Sequence, residues 1–264
     1  MTGQAGATRV VTSLTNPTVK AVRALHMRKA RQDTGLFLVE GLKSIIEAVD
    51  LGRRPRIVLH AAAVADHPLL RRAAGVAEET LEVSPGILEK ISRRENPQTV
   101  LGVFEQAYTP LEALDPGAAR CWVALEAVRD PGNLGTIIRT ADAAGCGGVI
   151  LVGECCDPYS VECVRATMGS VFAVPIVRTG AEAFLAWRKT WPGAVVGTLL
   201  TASTDFRAAA YRDPSLILMG NEQAGLTERL AAACDVTVKI PMRGRADSLN
   251  LAVATGVMIY TVIA

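Results

Sequence analysis

Three short segments of this 264-residue chain concentrate residue types that can position a reaction. The first is Arg129-Asp130-Pro131-Gly132-Asn133-Leu134-Gly135, followed by a helical stretch that carries Arg139. The second is Met219-Gly220-Asn221-Glu222-Gln223-Ala224-Gly225-Leu226, and the third runs from Pro241 through Arg243, Arg245, Asp247 and Ser248 to Asn250. Each follows an apolar run of strand length, and ligands of open parallel sheets bind beyond the carboxyl ends of the strands. Backbone groups, glycines, amides, a carboxylate and arginines suit the transfer of an already activated group, in which positioning supplies most of the rate.

Other chemistries fit these residues poorly. Gly220-x-x-x-x-Gly225 follows a strand and precedes a helix, as a phosphate loop does, but Leu226 replaces the lysine and Glu222 sits inside the loop. A carboxylate facing a triphosphate is repulsive, so nucleoside triphosphatase activity is excluded. Gly145-Cys146-Gly147-Gly148 precedes a strand instead of following one, which rules out a dinucleotide fingerprint. All three histidines (His26, His60, His67) lie before residue 120, no G-x-S-x-G elbow occurs, and Ser248 has no histidine in its own half of the chain. That argues against a serine hydrolase. No carboxylate and histidine cluster has metal-ligand spacing, so no metal is expected. The six cysteines (Cys121, Cys146, Cys155, Cys156, Cys163, Cys234) form no C-x-x-C pair and read as mostly free thiols of a reducing cytoplasm.

The elements that must hold these segments follow from patterning. Residues 16–34 open with Asn16-Pro17, a helix start, and carry basic residues at helical spacing. Strand-like runs at Leu36–Val39, Arg56–His60, Thr80–Val83 and Val100–Glu105 alternate with helical pieces at Leu42–Leu51, Pro68–Ala74 and Pro85–Ser92. This predicts a small α/β unit. Tyr108–Arg120, with Pro110, Pro116 and Gly117, reads as a linker. Beyond it, apolar runs at Cys121–Val128, Gly148–Val152, Phe172–Val177, Ala194–Leu200, Ser215–Met219 and Val236–Ile240 alternate with helices at Leu134–Ala144, Ser160–Met168, Ala181–Thr190, Thr227–Ala233 and Leu249–Ile263. Continuous Val/Ile/Leu strands separated by helices predict a parallel sheet covered on both faces. The expected division is 1–107 as a basic front and substrate-binding domain, 108–120 as linker, and 121–264 as the catalytic domain.

Half of the residues are hydrophobic and a fifth are charged, an ordinary globular composition, and the net charge is only +2. The charge is unevenly placed. Ten Lys/Arg face four Asp/Glu in residues 1–60, whereas twelve face thirteen from 121 onward. A basic front on a neutral body fits a module that grips a polyanion, and a solvated helix face fits it equally. The N-terminus lacks the apolar core of a signal peptide, and the apolar Leu249–Ala264 is shorter than the roughly 20 residues a bilayer requires. A cytoplasmic protein without membrane contact is expected.

Taken in order, the three segments resemble the signature motifs of the SpoU/TrmH family of RNA 2′-O-ribose methyltransferases, in the SPOUT superfamily. The matching residues are Asn133-Leu134-Gly135-Thr136-Ile137-Ile138-Arg139-Thr140-Ala141 with Gly145, then Leu218–Leu226, then Ile240-Pro241-Met242 and Ser248-Leu249-Asn250-Leu251-Ala252-Val253-Ala254. The front half is more loosely similar to the family's substrate-binding module, akin to ribosomal protein L30e, through Asn16-Pro17-x-Val19-Lys20 and Gly35–Gly41.

The resemblance implies an α/β fold whose C-terminal parallel-sheet SPOUT domain carries a trefoil knot, preceded by a small L30e-like α/β domain. It implies S-adenosylmethionine as cofactor, held at Leu199, Gly220, Ile240, Met242, Ser248 and Leu249, and RNA as substrate, ribosomal ahead of transfer RNA. A homodimer, each site borrowing from its partner, is implied too. Arg139 would contact the ribose hydroxyl and neighbouring phosphate, Asn133 would orient the nucleotide, Glu222 would hold Asn133 or Arg139, and Ser248 and Asn250 would shape the site. An arginine acting as general base sits uneasily with a guanidinium pKa above about 12. Lys20, Arg28, Lys29, Arg31, Arg243 and Arg245 are the candidates for gripping RNA. Plainer roles stand beside these: Arg139 as a salt-bridged helix residue, Asn133 as the cap of its own helix, Glu222 as the cap of Thr227's helix, and Asp247-Ser248 as the cap of the last helix. Methylation of a base, or RNA binding without catalysis on the same fold, are the competing functions.

Overall fold

The computed structural model describes residues 8–264, which divide into two compact units. The first comprises the described residues up to Gln106 together with Tyr159–Ala173; the second comprises Ala107–Pro158 and Val174–Ala264.

The first unit is built on five strands, β1 (Arg9–Val11), β2 (Leu36–Glu40), β3 (Ile57–His60), β4 (Glu79–Val83) and β5 (Val100–Glu105), in the order β1-β4-β3-β5-β2. Helices α1 (Pro17–Ala24), α2 (Arg28–Thr34), α3 (Leu42–Asp50), α4 (Pro68–Ala74) and α5 (Pro85–Ser92) connect them. Strand β5 runs antiparallel to both β2 and β3. Asn16 starts α1 as its composition suggests, accepting hydrogen bonds from the Thr18 and Val19 amides, with Pro17 in the first turn. The basic stretch 16–34 does not form one helix, because the chain breaks at Leu25–Met27. Arg31, expected at an RNA-facing surface, is 4% exposed and donates to the Leu25 carbonyl at 2.7 Å. The break leaves that carbonyl without its helical partner, and the guanidinium supplies one. Arg31 is therefore a structural residue.

The second half of the chain supplies β6 (Cys121–Glu126), α6 (Pro131–Ala143), β7 (Val149–Val152), α7 (Val161–Thr167), β8 (Ile176–Thr179) and α8 (Ala181–Arg188). It continues with β9 (Val195–Thr198), β10 (Thr204–Asp205), β11 (Ser215–Met219), α9 (Glu228–Ala231), β12 (Val236–Lys239) and α10 (Leu251–Ile263). Helix α7 packs in the first unit, where Arg165 grips the nearly buried Glu40 with two hydrogen bonds of 2.6 and 2.7 Å and donates to the Ser92 carbonyl. Phe172 joins Phe37 and Phe104 in an aromatic cluster there. This explains why the strand expected at Phe172–Val177 begins only at Ile176.

The seven strands of the second unit form a wholly parallel sheet in the order β10-β12-β9-β11-β6-β7-β8. The central strands β6, β7 and β11 are buried along their whole length, as their unbroken apolar sequences require. The expected linker, 108–120, is ordered chain: Leu111 is buried in this unit's core, and the Pro116 carbonyl accepts from the Trp122 indole at 3.2 Å. The glycines that failed as a dinucleotide fingerprint have a packing role. A Cβ on Gly147 would lie 2.2 Å from Cε2 of the buried Trp122. Among the described residues no helix is long and apolar enough to cross a membrane.

Candidate active site

The loops after β6, β9, β11 and β12 emerge from the carboxyl ends of four adjacent strands, so the sheet order places all three sequence segments together. Between them lies a cavity of about 590 Å3. Leu199, Gly220, Ile240, Met242, Ser248 and Leu249 all line it, as do Asn133, Glu222 and Asn250.

A directed chain of hydrogen bonds ties the loops across this cavity. Glu222 accepts from the backbone amides of Arg129 and Asp130, each at 3.3 Å, and from the Asn133 Nδ2 at 3.4 Å. A carboxylate can only accept, so the Asn133 amide must present its nitrogen to Glu222 and its oxygen away. That oxygen receives the Asn250 Nδ2 at 2.9 Å. Asn250 Oδ1 is thereby turned toward α10, where it accepts from the Ala252 and Val253 amides at 2.9 and 3.3 Å. One asparagine from the first segment thus bridges the carboxylate of the second and the amide of the third.

This arrangement settles the plainer roles differently from expectation. Helix α6 is capped by Asp130, whose carboxylate accepts from the Asn133 amide at 2.6 Å, so Asn133 is free to work through its side chain. Helix α10 is capped by Asn250 and not by Asp247-Ser248. The Ser248 hydroxyl is exposed and lies 3.5 Å from Asp247 Oδ1. Thr227 caps its own helix, and its amide is bound by Glu126 at 2.8 Å, leaving Glu222 to Asn133. Arg139 does not join the group. It sits exposed on α6, outside the cavity lining, and among the described residues its side chain has no ion pair or hydrogen bond. Lys20, Arg28, Lys29, Arg243 and Arg245 are all exposed.

Gly220 is constrained by the loop itself rather than by room for a ligand. A Cβ there would lie 2.0 Å from the Gly225 carbonyl carbon, because Asn221 and Gly225 pair back to back, Asn221 amide to Gly225 oxygen at 3.0 Å and the reverse at 2.9 Å. Asn221, given no role from sequence, organises this turn: its side chain accepts from the Gln223 and Ala224 amides and donates to the Ala127 carbonyl at 2.8 Å. The signal was available as an Asn opening, and a Gly closing, a short loop between strand and helix. Ala127, at φ +49, is held in a left-handed conformation that residues with a Cβ rarely adopt.

Thr198 is a second residue that no sequence motif marked. It lines the cavity, and its Oγ1 is buried without a hydrogen-bond partner. A buried hydroxyl left unpaired is costly, and a ligand in the cavity relieves that cost. Apolar walls (Leu199, Ile240, Met242, Leu249), an orphaned hydroxyl and a polar rim suit a ligand part aromatic or aliphatic and part hydrogen-bonding. Beside the site, Cys156 is a poor nucleophile: burial, then the neighbouring Cys155, Glu222 and Asp130, push its thiol up to about 12.

The model of the SpoU rRNA methylase family matches residues 120–260, and that of the MRM3-like substrate binding domain matches residues 16–102. The chain is 32% identical over 250 residues to the 23S rRNA (guanosine(2553)-2′-O)-methyltransferase RlmP of Bacillus subtilis (strain 168), covering 95% of this chain and 97% of that protein. It is 33% identical to the 23S rRNA (uridine(2479)-2′-O)-methyltransferase of Streptomyces viridochromogenes, over 90% of this chain and 86% of that one. A crystal structure of an AdoMet-bound rRNA methyltransferase from Sinorhizobium meliloti superposes with a TM-score of 0.90 at 49% identity, covering 97% of this chain and 98% of that one.

Proposed function

Because the chain belongs to the SpoU rRNA methylase family, we propose that it transfers a methyl group from S-adenosylmethionine to a ribose 2′-hydroxyl of RNA, ribosomal RNA ahead of transfer RNA. The observation that carries this reading is the hydrogen-bonded chain Glu222–Asn133–Asn250 along the wall of the cavity. The cofactor supplies a methyl group on a sulfonium, already activated for attack by an oxygen nucleophile. Leu199, Gly220, Ile240, Met242, Ser248 and Leu249 are the residues that would hold it, with the unpaired Thr198 hydroxyl as an additional polar contact.

Glu222 is an orienting group. Its carboxylate is shared among the Arg129 and Asp130 amides and the Asn133 and Asn221 side chains, which fixes Asn133 rather than leaving a free base. Asn133 and Asn250 then present a rigid edge to the ribose, and rigidity at that edge is what turns binding into rate. Arg139 acts by clamping the phosphate next to the target ribose, while the hydroxyl proton leaves late to water.

Arg139 lies outside its own chain's cavity, which supports a homodimer in which it serves the site of a second copy. The apolar α10 supports the same reading, since Val253 and Tyr260 are each 53% exposed on an otherwise hydrophobic helix. A trefoil knot is supported by the C-terminal segment that returns from β12 to place Asn250 against Asn133 on α6. Lys20, Arg28 and Lys29 from the first unit, and Arg243 and Arg245 from the loop after β12, are the proposed phosphate contacts, made by charge and shape. The proposed location is the cytoplasm, with the ribosomal RNA.

The test is to incubate the purified protein with S-adenosylmethionine carrying a labelled methyl group and ribosomal or transfer RNA from cells lacking it. Nuclease digestion and mass spectrometry then locate the label. Label on a ribose supports the proposal; label on a base, or none on RNA despite cofactor binding by calorimetry, overturns it.

A further inference from the structure

A second cavity, of about 630 Å3, lies on the other side of the Asn221–Gly225 loop, and that loop lines both cavities. We propose that it receives the target nucleobase and that it selects guanine by accepting from its N1–H and N2 amino group. This rests on the reading of the protein as an RNA ribose methyltransferase.

The argument begins with Glu126, at the carboxyl end of β6. The residue is 8% exposed, and it lines this second cavity. Its Oε2 accepts from the Thr227 amide at 2.8 Å, and among the described residues Oε1 has no hydrogen-bond donor and the carboxylate no paired cation, so Oε1 is open to the cavity. A carboxylate oxygen can only accept, so a ligand that displaces solvent from this cavity must bring N–H groups to Oε1.

The donors in the same cavity complete the pattern. Arg129 and Gln223 are both exposed, and neither side chain has a hydrogen-bond or ion-pair partner among the described residues. Both backbones are nevertheless held, the Arg129 amide donating a hydrogen bond to Glu222 and the Gln223 amide donating one to Asn221 Oδ1. An acceptor open to the cavity together with exposed donors on the same lining matches a base edge carrying adjacent N–H groups beside a carbonyl. Guanine has that edge: N1–H and the N2 amino group toward Glu126, O6 toward Arg129 or Gln223. Uracil would turn a carbonyl toward the carboxylate, and adenine has no carbonyl for the donors. A site that hydrogen-bonds the correct ligand in this way rejects one that would leave its polar groups without partners.

Position supports the same assignment. Glu222 lines both cavities and holds Asn133, which lines the first, so a base in the second cavity would bring its ribose close to this orienting pair.

The experiment uses the full chain with ribosomal RNA from cells lacking it. The methylated nucleotide is mapped, and a synthetic RNA spanning that site is made with the target base and with its inosine analogue, which lacks the N2 amino group. The expected results are a methylated guanosine and a fall of tenfold or more in kcat/KM for the inosine RNA with the wild-type protein. In Glu126→Gln, which still offers an oxygen to Thr227, the guanosine RNA should lose a similar factor and the inosine penalty should shrink to about twofold. Arg129→Ala, at an exposed position outside the lining of the first cavity, should raise KM for RNA with cofactor affinity unchanged by calorimetry. Ribose methylation at a uridine, cytidine or adenosine overturns the base assignment and leaves the ribose reaction standing. An undiminished inosine penalty in Glu126→Gln does the same. No ribose methylation at all removes the premise, and with it the proposal.

Discussion

Asn133→Asp is the sharpest probe of the hydrogen-bonded chain, because it changes one donor atom into an acceptor at nearly constant volume. The new carboxylate can still accept from Asn250, preserving the 2.9 Å contact, but it sets an oxygen where Nδ2 now lies 3.4 Å from Glu222. Two unit charges at that distance repel by about 1 kcal/mol in a water-like dielectric and about 5 kcal/mol at an effective dielectric of 20. Glu222 is exposed and solvent screens it, so the lower end applies, about 1–2 kcal/mol. The lost hydrogen bond adds about 1 kcal/mol. The sum, about 2–3 kcal/mol, corresponds to a roughly 30- to 150-fold loss in kcat if all of it is spent on misplacing the ribose. Methyl transfer to ribosomal RNA under saturating cofactor is the assay. Each carboxylate raises the other's pKa, so the repulsion is present at neutral pH and is lost as pH falls through the raised value. The deficit should therefore shrink on acidification, relative to wild type at the same pH. An Asn133→Asp protein with wild-type turnover at neutral pH would refute the reasoning, as would a deficit that does not change with pH.

Three further outcomes are expected. Asn250→Asp keeps an acceptor for the α10 cap but loses the donor to Asn133, so thermal stability should stay within about 1 kcal/mol of wild type while kcat falls by roughly tenfold or more. Gly147→Ala forces a methyl group into Trp122, and denaturant titration should show a loss of about 1–3 kcal/mol with the melting temperature lowered accordingly. Cys156 and Cys234 have thiols pushed up to about 12, chiefly by burial, so at pH 8 both stay protonated. Iodoacetamide followed by mass spectrometry should leave them unmodified in the folded protein and label them after denaturation; rapid native labelling would contradict the burial.

Local pattern was enough for the elements whose periodicity is strong and whose caps are written into neighbouring residues. Pro68–Ala74, Pro85–Ser92, Val100–Glu105 and Ser215–Met219 fall where the sequence placed them, because each is bounded by a proline, a polar cap or an apolar run with no competing partner. The short strands at Arg9–Val11 and Thr204–Asp205 were not foreseen, since three and two residues carry too little periodicity to read and are held only by pairing with β4 and β12. Arg31 shows the opposite failure: basic composition pointed outward, while an unpaired carbonyl at a helix break drew the side chain in.

At the candidate site, Leu226 in place of a lysine, Glu222 within its loop and the absence of histidine after residue 67 excluded phosphate-loop and hydrolase chemistry, while the candidate residues came from the resemblance of the three segments. Which of those residues touch one another was written in none of the segments. Asn133, Glu222 and Asn250 are separated by 89 and 117 positions from Asn133, and only the order of β12, β9, β11 and β6 in the sheet brings their loops to one edge. The direction of the amides followed from that meeting, because a carboxylate that can only accept decides which way each neighbouring asparagine must turn. Sequence could name the donors and acceptors; their assembly depends on contacts between distant segments, which no local preference encodes.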